Sequence, residues 1–109
     1  MTRKFVYTAL FNSCWKAMGL GDRDLRIVED ALLRNPKLGD VIEGTGGARK
    51  IRFQLAGHGK RGGGRIIYLD VYTKESTHML FAYPKGVQSD LTPEQKKAVR
   101  QLVEQIHRE

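Results

Sequence analysis

One cysteine, three prolines and one tryptophan among 109 residues leave several protein classes without support. Cys14 has no second cysteine to pair with, which excludes an intramolecular disulfide scaffold and suits a reducing cytoplasm. One cysteine with the scattered His58, His78 and His107 offers no zinc-ligand spacing, so neither a metal nor a cofactor is expected. The longest apolar runs are a few residues, far short of the roughly 20 needed to span a bilayer. The apolar segment Phe5–Phe11 is broken by Thr8 and has no small-residue cleavage site, so it is read as part of the domain and not as a signal peptide. The length supports a single domain over residues 1–109. Hydrophobic content of 40% with 28% charged residues is that of a folded globular chain.

The most informative absence is of acid. Between Gly44 and Leu69 there is no Asp or Glu, while Arg49, Lys50, Arg52, Lys60, Arg61 and Arg65 supply six positive charges. The chain has 19 basic and 12 acidic residues, a net +7; outside that stretch 13 basic residues face 12 acidic ones, a net of +1. Six unpaired cations in one quarter of a chain repel one another, and a merely solvated face leaves that cost unexplained. A polyanion partner, RNA or another polyphosphate, accounts for it.

The local patterns give an α+β domain of order β-α-α-β-β-β-α, with a small, mostly antiparallel sheet and helices packed on one face. Lys4–Tyr7 reads as a strand. Leu10, Phe11, Cys14, Trp15 and Met18 recur at helical spacing, and Asp22 is the expected N-cap of a second helix that Asn35-Pro36 stops. After a glycine-punctuated connector, Arg49–Leu55 alternates so that Ile51 and Phe53 face one side and Lys50 and Arg52 the other. Arg65–Tyr72 and Thr77–Tyr83 read as further strands. Thr92-Pro93-Glu94-Gln95 has the form of a capping box, followed by the helical stripe Val99, Leu102, Val103, Ile106.

Other motifs in the chain carry less than this cluster. Gly57–Gly62 matches G-x-G-x-x-G, but a dinucleotide site needs a helix next, and here a strand follows. No phosphate-binding Gly-Lys-Ser/Thr occurs, and no acid pair sits in the basic stretch to support a two-metal nuclease. His58, in the glycine-rich loop, is a candidate acid or base near neutral pH and otherwise a partial cation. RNA cleavage needs little more than cations here. The 2′-hydroxyl is the substrate's own nucleophile, and Arg and Lys can align the backbone and stabilise charge on the phosphorane. A lysine crowded by cations could also take up the proton.

The residues Asn35–Arg52, with Gly59–Tyr68, Tyr83-Pro84-Lys85 and Ser89–Thr92, strongly resemble HigB-type toxins of the RelE superfamily, a resemblance running from Asn35 to the C-terminus. It implies a type II toxin–antitoxin toxin, an mRNA interferase that enters the ribosomal A site and cleaves the codon there to a 2′,3′-cyclic phosphate. Lys50, Arg52 and Arg65 would then contact the cleaved phosphate, Lys85 would close the site, and Tyr83 would stack on a base. Arg49, His58, Lys60 and Arg61 would contact RNA. The implied partners are the ribosome with its mRNA and a small antitoxin carrying a helix-turn-helix domain, through which alone promoter DNA would be reached. Gly86 departs from the family, which often has a basic or polar residue there; Lys60 and Arg61 are candidate substitutes. A degenerate toxin that binds RNA or ribosomes without cleaving is the alternative. A DNA-binding accessory protein is a third, disfavoured by helices of mixed charge.

Overall fold

β-Branched and aromatic residues are dense on either side of the glycine-rich loop, and there they form the centre of a five-stranded sheet. The computed structural model describes residues 3–54, 63–84 and 86–109. The elements are β1 (Lys4–Tyr7), α1 (Ala9–Ala17), α2 (Asp22–Arg34), β2 (Asp40–Val41), β3 (Arg49–Gln54), β4 (Gly63–Val71), β5 (Ser76–Pro84) and α3 (Pro93–Arg108). The strands lie in the order β1-β5-β4-β3-β2, antiparallel except where β1 runs parallel to β5. The expected α+β order is thus present, with one addition. The two residues of β2 lie in the connector, too short to show any periodicity.

The helices are not on one face as expected. β4 reads Ile66-Ile67-Tyr68-Leu69, apolar at successive positions, and a strand apolar on both sides requires cover on both. Ile66 and Tyr68 pack with Phe11, Trp15, Val28 and Leu32 from α1 and α2. Ile67, Leu69 and Val71 pack with Val99, Val103 and Ile106 from α3 on the opposite face. One extra residue in β5 maintains this sorting: Ile67 is opposite Phe81 while Tyr68 is opposite Met79, so Leu80 is a bulge. Leu80 and Phe81 both join the α3 side. The Leu80 carbonyl accepts the Thr8 hydroxyl at 2.9 Å, and that same hydroxyl caps α1 by accepting the Phe11 N–H at 2.9 Å.

Asp22 is not the cap of α2. Gly21 is the N-cap, and its N–H donates to the Asp24 carboxylate at 3.1 Å, leaving Asp22 in the first turn, where the helix dipole favours an acid. The capping box of α3 forms as expected, with Thr92 accepting from the Gln95 N–H at 3.1 Å and Gln95 from the Thr92 N–H at 3.0 Å. No helix among the described residues is long and apolar enough to cross a membrane.

The connector after α2 is pinned from beneath. The fully buried Tyr68 donates its hydroxyl to the Pro36 carbonyl at 2.8 Å and accepts the Gly39 N–H at 2.9 Å. Gly39 sits so close to β3 that a Cβ would lie 2.7 Å from Ile51 and 2.8 Å from the Lys50 carbonyl. Tyr68→Phe leaves both backbone groups without that partner. Urea unfolding should show a loss of about 1–3 kcal/mol, the usual cost of stranding buried polar groups.

His78 gives a second test. Its buried ring lies 3.2 Å from the Ser76 hydroxyl. Burial pushes its pKa below the ordinary 6.5; Lys74, Lys4 and His107 add to the depression and Glu109 opposes it. The folded chain therefore binds fewer protons here than the unfolded one. This contribution to stability is fully present above pH 6.5 and is lost as pH falls from there through the lower folded value. His78→Gln should flatten that part of the stability–pH curve, whereas His107→Gln should leave most of it.

Candidate nucleic-acid interface

The cationic face follows from strand alternation and register. Ile51 and Phe53 turn into the core with α1 and α2, so Lys50 and Arg52 take the other side of β3. Arg52 is directly opposite Arg65, Lys50 opposite Ile67, and Arg65 in turn opposite Tyr83, which places Arg65 on the same face as Lys50 and Arg52. The apolar cluster under α3 draws on β4, β5 and Ala48, and β3 is left open beside it. The result is a cleft of about 570 Å³ with Lys50, Arg52 and Arg65 along one wall.

Glycine sets how closely the strands approach at this point. A Cβ on Gly64 would lie 2.5 Å from the Tyr83 carbonyl oxygen and 3.1 Å from the Phe53 ring, so only glycine fits immediately before Arg65. Like charges directly opposite on a sheet are destabilising. Arg52 and Arg65 nevertheless face each other, and among the described residues neither has a carboxylate partner. The only hydrogen bond of the Arg65 guanidinium among those residues goes to the neighbouring Gly64 carbonyl at 3.2 Å.

Lys50 is differently placed. Its ammonium donates to Asp90 at 2.6 Å and more distantly to the Ser89 carbonyl at 3.4 Å. That hydrogen bond, and the charge behind it, hold the Asp90 carboxyl below its ordinary pKa. Lys50 therefore does not sit among cations alone, as the expectation of a proton-accepting lysine assumed. Asp40, opposite Lys50 on β2, is a second carboxylate at the cleft. A stretch free of acid in sequence is not free of it in space. Neither acid gives a sequence signal, because β2 is too short to show alternation and Asp90 lies 40 residues from Lys50.

The other expected site residues separate. Arg49 has the parity of Ile51 and turns away from the cleft; its guanidinium donates to the Gly39 carbonyl at 2.7 Å and clamps the connector. Tyr83 is 3% exposed, packed under α3 with its hydroxyl donating to the Ser89 carbonyl at 3.1 Å, so its ring is not open to a base. Burial raises its pKa. His58, Lys60, Arg61 and Lys85 lie outside the described residues. Gly86, where a basic or polar side chain was expected, has φ +93°, a conformation that strains any residue with a side chain. The turn after β5 thus accounts for the missing side chain.

Two opposed guanidiniums and a lysine in an open cleft can hold a phosphodiester and offset charge that develops on it. Among the described residues no three metal-ligating side chains come together. No family model matches the chain. Among solved structures the fold is similar to the isolated E. coli RelE toxin, with a TM-score of 0.54 and 15% identity over 93% of this chain and 99% of that one. It is also similar to a mutant of E. coli RelE toxin in complex with a peptide of antitoxin RelBc, with a TM-score of 0.52 and 15% identity over 90% of this chain and 95% of that one. At such identity the likeness is one of fold.

Proposed function

We propose that this chain is the toxin of a type II toxin–antitoxin system, of the HigB type, and that it cleaves mRNA in the ribosomal A site. The observation that carries the proposal is the unneutralised Arg52–Arg65 pair, set with Lys50 in an open cleft of a RelE-like sheet. A sheet gains nothing from opposed guanidiniums in the resting state; a phosphate between them removes the repulsion and makes charge-assisted hydrogen bonds. In cleavage the 2′-hydroxyl attacks the adjacent phosphorus, the 5′-oxygen leaves, and the cyclic phosphate remains. Arg52 and Arg65 would stabilise the phosphorane and Lys50 would orient the backbone. Lys85 would close the cleft from the end of β5, with Lys60, Arg61 and His58 meeting RNA from the glycine-rich loop.

The cognate partner would be a small antitoxin with a helix-turn-helix domain, whose acidic or amphipathic segment could neutralise the cleft in the cytoplasm. The complex of an E. coli RelE mutant with an antitoxin peptide supports an antitoxin partner. The alternative, an RNA- or ribosome-binding module without cleavage, differs in one readout. Primer extension on programmed ribosomes should show breaks within the A-site codon. Arg52→Ala and Arg65→Ala should each reduce the cleavage rate by about 10²-fold, the usual cost of one donor to a developing oxyanion. Ribosome binding without breaks would establish the alternative, and full cleavage in both variants would remove the cleft from the mechanism.

A further inference from the structure

Of the cleft's cations, Lys50 already has an anion. Asp90, which holds it, belongs to the loop between β5 and α3, and the backbone of that loop is tied down on several sides. Tyr83 donates to the Ser89 carbonyl at 3.1 Å, and Gln88 donates to the Asp90 carbonyl at 2.8 Å. Gln88 also donates to Gln95 at 2.6 Å, and Gln95 is the residue that closes the capping box of α3. The carboxylate itself is free to move, since the Asp90 side chain is 79% exposed against 27% for Lys50. Rotation of one side chain is enough to release Lys50, and exposed ion pairs are weakly held. Asp40 lines the same cleft from the strand beside Lys50 but makes no ion pair with it.

We infer that Asp90 is a built-in competitor for the cleft, occupying Lys50 until a phosphate of single-stranded nucleic acid displaces it. The inference rests on the proposal that the cleft receives phosphodiesters. Among the described residues, Arg52 and Arg65 are the cleft cations available in the resting state, so an isolated anion gains nothing from Lys50. A strand whose next phosphate reaches Lys50 recruits the third cation by expelling the carboxylate. The cleft thereby favours a continuous backbone over a single phosphate.

The test is fluorescence anisotropy with a labelled single-stranded 2′-deoxyoligonucleotide, which lacks the 2′-hydroxyl and is not consumed. Asp90→Asn should tighten binding about two- to fivefold at low salt, the range set by an exposed ion pair. Because salt screens the Lys50–Asp90 pair that must be broken, this gain should shrink as ionic strength rises. The gain should vanish in a Lys50→Met background, and Asp40→Asn should give less than half of it. Unchanged or weaker binding by Asp90→Asn overturns the inference. So does a gain that survives Lys50→Met or is matched by Asp40→Asn, because that would be general charge and not displacement. Arg52→Ala with Arg65→Ala separates the two levels. If that double variant loses affinity while Asp90→Asn has no effect, the cleft still binds nucleic acid and only the competitor falls. If the double variant binds as before, the cleft is not the binding site.

Discussion

Everything in this molecule depends on β4 being apolar on both faces. Ile66 and Tyr68 demand cover from one side, Ile67 and Leu69 from the other, and the helices divide accordingly. α1 and α2 take the first face because Thr8 ties the start of α1 to the bulged carbonyl of β5. α3 takes the second, but its apolar stripe is matched to β4 and β5. The neighbouring strand β3 has no apolar residue to offer on that side, only Lys50, Arg52 and Gln54. The cleft is therefore the part of the sheet that hydrophobic burial gives α3 no reason to cover.

Strand pairing then concentrates the charge. β3 and β4 are joined by the glycine-rich loop, so the two ends of the basic stretch come back together in space, and Arg52 meets Arg65. Gly64 lets the backbone close at this point without a side chain in the way. The repulsion that follows is tolerable because water screens an open face, and it is relieved when an anion enters. Binding competence and local instability have the same origin here, which is common at sites built to receive charge.

Much of this was legible from residue patterns. The alternation of β3 placed Lys50 and Arg52 opposite Ile51 and Phe53, and Thr92 with Gln95 marked the start of α3. What was not legible depends on pairing between distant segments. Arg49 looked like another member of the basic cluster, yet strand parity turns it toward the Gly39 carbonyl. Tyr83 looked like an aromatic at the rim, and α3 buries it. The two-sided burial of β4 was written in Ile66-Ile67-Tyr68-Leu69, where a run without polar gaps signals a strand covered on both faces. Gly21 displaced Asp22 as a cap because Asp24 could reach back to its N–H, a choice between neighbours that spacing alone does not decide.

Asp90 shows most clearly how sequence distance hides chemistry. Along the chain it stands 40 residues from Lys50, in a loop that resembles a plain helix approach. In the fold the buried Tyr83 and the paired Gln88 and Gln95 place that loop against Lys50. Tyr83 thus contributes to the site through its hydroxyl and not its ring, by fixing where a carboxylate can stand. A cluster that is wholly positive in sequence becomes, in three dimensions, two free guanidiniums among the described residues and one lysine already engaged. A cleft in that state carries less net charge at rest than when a nucleic-acid strand has displaced the carboxylate. Its affinity therefore depends on how many adjacent phosphates the ligand can present at once.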